Sequence, residues 1–169
     1  MGGVIFGYLA GVIILLSILV ITVKNPVHSV MFMLLMFFHI AGLYLTLNAE
    51  FLAAVQIIVY AGAILVLFLF VILLLNLKDE LRMKRTTWSW PLGVAAAGAL
   101  FIAAFLSLRS FVPGTKGVIT TAVIKAETNT KVLGRILFTE YLFPFEVVSL
   151  VLLVALIGAI VLAKKRQRS

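Results

Sequence analysis

The residues able to do chemistry in this chain are few, and most of them sit inside long apolar runs. The densest group lies in Glu50-Phe-Leu-Ala-Ala-Val-Gln-Ile-Ile-Val-Tyr-Ala-Gly-Ala. Gln56 and Tyr60 are four apart, so on a helix they share a face and come within reach of a hydrogen bond. Ala53 and Ala63 fall near that face, with Gly62 beside it. Polar side chains at this depth in hydrocarbon are costly unless they meet protein or water. Two readings follow from the residues. Gln56 and Tyr60 cross-link neighbouring helices while Gly62 permits close approach, or the stretch lines a hydrated path or holds a deformable helix turn.

The remaining candidates are carboxylates and one imidazole. Glu50 and Glu140 precede apolar runs, where the helix dipole favours a negative charge and capping explains them. Glu146 lies about one turn into the last run, after Phe143-Pro144-Phe145, and is the more ambiguous. Glu50, Glu146 and His39 are therefore the candidate polar or proton-path residues. No carboxylate sits near the middle of a run, where a proton-carrying group in a pump is expected. His28 and His39 stand about 16 Å apart along a helix and cannot hold one metal or haem together. For His39 a hydrogen-bonded packing role outweighs a proton relay. The chain has no cysteine, which excludes a disulfide, a thiolate-bound iron–sulfur cluster and a catalytic thiol. No phosphate-binding loop, dinucleotide fingerprint or nucleophile motif is present. The expectation is a chain with no active site, metal or cofactor of its own.

The elements that carry these residues are membrane spans. Apolar residues make up 64% of the chain and charged residues 12%, with a mean hydropathy of +1.25. A soluble domain carries about a quarter charged residues. Five runs, 4–23, 27–47, 51–77, 92–112 and 141–163, reach the roughly 20 residues a helix needs to cross a bilayer. The expected fold is an all-α integral membrane protein, one membrane domain over 1–169. The first run is read as a retained helix, because it exceeds the roughly 7–15 residues of a signal h-region and no small-residue cleavage site follows. Lys24-Asn25-Pro26 and Asn48-Ala49-Glu50 are short links that force antiparallel neighbours. The third run would extend about 40 Å against a core near 30 Å, an excess that tilt or a π-bulge absorbs. In the 113–140 loop, Val132, Leu133, Ile136 and Leu137 repeat at helical spacing after Thr130, an expected N-cap, and predict a short amphipathic helix on the outer surface. Trp88 and Trp90, before Pro91, suit the membrane interface. No internal repeat supports an inverted-repeat carrier.

The formal charge of +8 is placed at the ends of the runs and forms no stripe that could hold nucleic acid. Nine basic residues (Lys24, Lys78, Arg82, Lys84, Arg85, Lys164, Lys165, Arg166 and Arg168) share one side of a five-span topology. The other side holds Lys116, Lys125, Lys131 and Arg135, with Arg109 near the fourth span's end. The asymmetry predicts an external, periplasmic N-terminus and a cytoplasmic C-terminus with the basic tail 164–169. Gly3, Gly7 and Gly11 form a small-residue face on the first span, and Ala155, Ala159 and Ala163 on the fifth. Five helices cannot bury several such faces among themselves, which points to helix-packing partners from other subunits.

Three blocks carry a family resemblance. Asn25-Pro-Val-His-Ser, Gly42-Leu-Tyr-Leu and the run from Ala49 to Val71 closely resemble the NuoJ-type subunit (membrane subunit six, subunit J) of respiratory complex I, the proton-translocating NADH:quinone oxidoreductase. Leu137-Phe-Thr-Glu-Tyr-Leu-Phe-Pro-Phe-Glu-Val resembles that family's fifth helix. The resemblance implies five spans in the membrane arm, beside NuoK-, NuoA-, NuoH- and NuoN-type chains and lipid, in a bacterial inner membrane. It also implies that FMN, iron–sulfur clusters and quinone belong to the complex rather than to this chain. The family's third helix has a π-bulge around the position of Tyr60, thought to rearrange and to make or break a hydrated connection towards glutamates of the NuoK-type neighbour. Tyr60, Ala61 and Gly62 match that motif residue for residue, with Gln56 one turn earlier, so the functional reading of this stretch is preferred. The implied function is a non-catalytic coupling subunit of this translocase. Its alternative is a chain of a related cation/proton antiporter or other ion-translocating assembly, and a purely structural scaffold is the third possibility.

Overall fold

The computed structural model describes residues 2–75, 90–111, 124 and 127–164, and within them every regular element is helical. The elements are α1 (Gly2–Thr22), α2 (Pro26–Thr46), α3 (Glu50–Leu74), α4 (Trp90–Arg109), α5 (Asn129–Thr139) and α6 (Leu142–Ala163). All but α5 are long and apolar enough to cross a membrane. Trp88, most of the loop after the fourth span and the tail beyond Lys164 lie outside the described residues, as do the ends of the expected third and fourth spans at 76–77 and 112.

Two helix ends differ from expectation. α4 ends at Arg109, and just beyond it Ser110 folds its hydroxyl back onto the carbonyls of Leu106 (2.9 Å) and Ser107 (3.2 Å). The Leu106 carbonyl also accepts the Ser110 N–H at 3.0 Å, so the hydroxyl adds a second bond there and covers the Ser107 carbonyl. α5 starts at Asn129, and its N-cap is Thr128 rather than Thr130. The Thr128 carbonyl accepts the N–H of Val132 at 3.2 Å, which places Thr130 inside the first turn.

α2 is the centre of the packed part, with α1 on one flank and α3 on the other. Its start is set by Asn25, whose Oδ1 accepts the N–H of Val27 at 2.9 Å, and by Pro26, which has no N–H to satisfy. Ser29 donates to the Val20 carbonyl at 2.6 Å, tying α2 back to α1 across the corner. Further along, Ser17 donates to the Ile13 carbonyl (2.7 Å) and meets the Met36 sulfur (3.2 Å). Leu9 and Leu16 fill the seam from α1, and Val30 and Ala41 from α2. Leu9 lies over Gly42, where a Cβ would stand 3.4 Å from a Leu9 methyl, an ordinary contact.

The α2–α3 corner is a Schellman turn. Asn48 adopts a left-handed backbone (φ 57), its N–H reaches Leu45 O at 3.1 Å, and Ala49 N–H reaches Tyr44 O at 2.9 Å. These bonds satisfy the last carbonyls of α2, and asparagine is one of the few residues with a side chain that tolerates this backbone.

The other spans are packed differently. Among the described residues α4 touches no other helix, and α6 meets only α5, where Phe138 stands edge-on to Phe145 at 5.0 Å. Gly3, Gly7 and Gly11 face away from the α1–α2 seam, and a Cβ on any of them would meet nothing within 4 Å.

Asn48→Gly should preserve the corner, whereas Asn48→Val should destabilise it by about 1–2 kcal/mol, the penalty for a branched side chain in left-handed backbone. The check is subunit abundance in isolated membranes by immunoblot after a heat step.

Candidate functional site

α3 changes winding partway along. It runs as an α-helix over Glu50–Val55, as a π-helix over Gln56–Ile64, and as an α-helix again over Leu65–Leu74. The ladder of the middle segment is one residue longer, as in the N–H of Leu65 bonding to Tyr60 O. Most π-helix occurs as a single-turn bulge, so nine residues is a long stretch of it.

The winding decides which side chains are buried. Ala53, Gln56, Ala61 and Leu65 face inward along α3. From Gln56 to Ala61 is a step of five residues, where an α-helix would step three or four. The longer step moves the buried register by one residue. Ala61 takes the inward place that Tyr60 would hold in an unbroken α-helix, and Tyr60 turns outward to 46% exposure.

This corrects the expected geometry of the polar pair. Gln56 and Tyr60 do not hydrogen-bond to each other: the Gln56 side chain is 6% exposed within the core, while the Tyr60 ring stands edge-on to Phe37 of α2, centroids 5.9 Å apart. Ala63, expected near their face, is exposed, and its inward role passes to Ala61. Gln56 is the one polar residue in the described core, and its amide has no side-chain hydrogen bond among the described residues. Its neighbours along the stripe, Ala53 and Ala61, are small. Gly62 sits against the π ladder itself, since a Cβ there would lie 3.4 Å from the Ile57 carbonyl five residues back.

The other candidates lie apart from this centre. Glu50 is the first residue of α3, exposed, with Ala49 as N-cap and no side-chain cap bond. It lines a cavity of about 180 Å³ with Asn48, Ile124, Thr128 and Asn129. Glu146 is exposed on α6. His39 bonds through Nδ1 to Leu35 O at 2.7 Å and lies beside Tyr8 of α1. Among the described residues no hydrogen bond or ion pair joins Glu50, Glu146 and His39 to one another or to Gln56. Phe37, which braces Tyr60, and the inward place of Ala61 were not identified from sequence. The length of the third apolar run was the available signal for both.

The chain matches the sequence model of the family described as NADH-ubiquinone/plastoquinone oxidoreductase chain 6 over residues 16–162. It is 40% identical to NADH-ubiquinone oxidoreductase chain 6 of Cyanidium caldarium, over 94% of this chain and 82% of that one. It is 37% identical to the chloroplastic NAD(P)H-quinone oxidoreductase subunit 6 of Physcomitrium patens, covering 96% and 84% of the two chains. With NADH-quinone oxidoreductase subunit J of Rickettsia typhi it shares 35% identity over 97% and 82%.

Gly62→Ala should be accommodated, because 3.4 Å from the Ile57 carbonyl is ordinary contact, whereas Gly62→Val adds a branch against that carbonyl. The expected result is near-normal membrane abundance for the alanine variant and reduced abundance for valine, read by immunoblot.

Proposed function

This chain belongs to the NADH-ubiquinone/plastoquinone oxidoreductase chain 6 family, and from that premise we propose that its third helix couples electron transfer elsewhere in the assembly to proton movement. The chain is a multi-pass membrane subunit of NADH-quinone oxidoreductase, complex I, and works among the other subunits of that complex. The matched relatives carry oxidoreductase names, and the antiporter alternative is set aside.

The observation that carries the coupling reading is the five-residue step between Gln56 and Ala61. Removing the π winding would turn the following part of α3 by about 100°, one residue of α-helix. Tyr60 would then exchange places with Ala61, bringing a hydroxyl inward beside the Gln56 amide. Two polar groups on one inward face can support water, whereas Gln56 between two alanines supports little. The π ladder keeps backbone groups paired in either winding, which hydrocarbon requires. Gly62 favours the change, because glycine carries no side chain past the Ile57 carbonyl.

The remaining assignments rest on the same family and on charge. FMN, iron–sulfur clusters and quinone are held by other subunits, and this chain acts without a catalytic residue. Its neighbours are NuoK-, NuoA-, NuoH- and NuoN-type chains in a bacterial inner membrane. The basic asymmetry puts the N-terminus in the periplasm. α5 lies along the outer surface, with Val132 turned inward and Lys131 and Arg135 towards water.

The test is a Gln56→Leu variant carried on a C-terminally tagged chain. Leucine fills a similar volume and removes only the amide, so the variant should co-migrate with the active complex on a native gel. Proton uptake by inverted vesicles per NADH oxidised should fall roughly fivefold or more, the scale of a typical coupling energy. Normal pumping by the assembled variant would reduce α3 to a scaffold.

A further inference from the structure

A second polar site lies on the opposite flank of α2 from the π segment. His39 of α2 and Tyr8 of α1 stand with ring centroids 6.1 Å apart. They are at the same depth: Tyr8 is about 9 Å along α1 from Gly2, and His39 about 10 Å from the Thr46 end of α2. Because α1 and α2 are antiparallel neighbours, both distances are measured from the same end of the pair. A helical side chain tilts towards the N-terminus of its helix, so in a hydrocarbon core of about 30 Å the His39 ring leans away from the nearer surface, while Tyr8 leans towards it.

The hydrogen bonding of His39 sets what the pair can accept. Nδ1 lies 2.7 Å from the Leu35 carbonyl, and a carbonyl oxygen only accepts, so Nδ1 carries the proton. In the neutral tautomer compatible with this bond, Nε2 is the ring's free acceptor. Among the described residues neither Nε2 nor the Tyr8 hydroxyl has a hydrogen-bond partner, and Tyr8 is 62% exposed. The neighbouring side chains Val4, Leu35 and Phe38 are apolar and outward-facing. A lone water here would find two polar partners, against about three for a typical buried water. Lipid tails offer none.

We infer that Tyr8 and His39 form a docking site for a transmembrane helix of another subunit, one that presents a hydroxyl or carboxamide side chain. Such a group can donate to Nε2 and can accept from the Tyr8 hydroxyl. Gly7 and Gly11, on the neighbouring face of α1 with open space above them, let that helix approach closely. The glycines permit the contact, and the polar pair selects the partner. The inference rests on the chain being one subunit of a membrane assembly.

The experiment replaces Phe38, exposed beside His39, with p-benzoylphenylalanine in the tagged chain and irradiates native membranes. The expected product is a cross-link to another subunit, mapped by mass spectrometry to a membrane helix with Ser, Thr, Tyr, Asn or Gln within a turn of the attachment point. A lipid adduct alone, a second copy of this chain, or a helix without such a residue overturns the inference. Retention of the tagged chain in the complex through detergent exchange is the second readout. His39→Leu and Tyr8→Phe should each lower it about three- to tenfold, the range of an interhelical hydrogen bond in a membrane. His39→Gln, which keeps an acceptor, should restore most of it, and unchanged retention of His39→Leu also overturns the inference. A native gel of the unsubstituted chain separately reads membership of the oxidoreductase. A cross-link to a donor-bearing helix of a different assembly would support this site while rejecting that membership.

Discussion

Within hydrocarbon a backbone N–H or carbonyl has no solvent to turn to, so a membrane helix can change shape only by exchanging one internal partner for another. The third helix obeys this rule while departing from α geometry. Over Gln56–Ile64 its ladder shifts by one residue and keeps its donors inside the helix. The cost of that choice appears in the side chains, because the inward register must move with it. Ala61 is drawn into the core, Tyr60 is turned out against Phe37, and Gln56 is held among small residues. The proposed coupling role rests on two windings that would each keep the backbone paired and would differ in which group faces inward.

The packed part of the molecule supplies a fixed reference for that change. α2 lies between α1 and α3, tied to α1 by the Ser29–Val20 bond and the Ser17–Met36 contact. The Schellman turn at Asn48 sets where α3 begins. The proposed rewinding would need such a rigid neighbour, since a loose one would absorb the motion. α4 and α6 contribute little to this unit among the described residues, and their side chains lie largely exposed. That division suits a subunit of a larger membrane complex, in which several helices complete their packing against other chains.

The number, type and approximate limits of the apolar helices were legible because a bilayer demands long uncharged runs and penalises every exception. The corners were legible from Pro26 and the short links. The N-cap of α5 was not: Thr128 takes that place instead of Thr130, with no side-chain cap bond, and hydropathy does not separate two neighbouring threonines.

The polar centre shows where sequence alone stops. The residue types in Gln56–Gly62 and the excess length of their helix mark the segment as unusual, and sequence by itself determined that much, along with a membrane domain free of cysteine chemistry. Whether Tyr60 or Ala61 faces inward is a different kind of question. It depends on the winding of about two turns of backbone, and an α-helix and a π-helix place the same residues on different faces. Only the tertiary structure decided it: the π winding over Gln56–Ile64 places Ala61 in the core and turns Tyr60 out against Phe37.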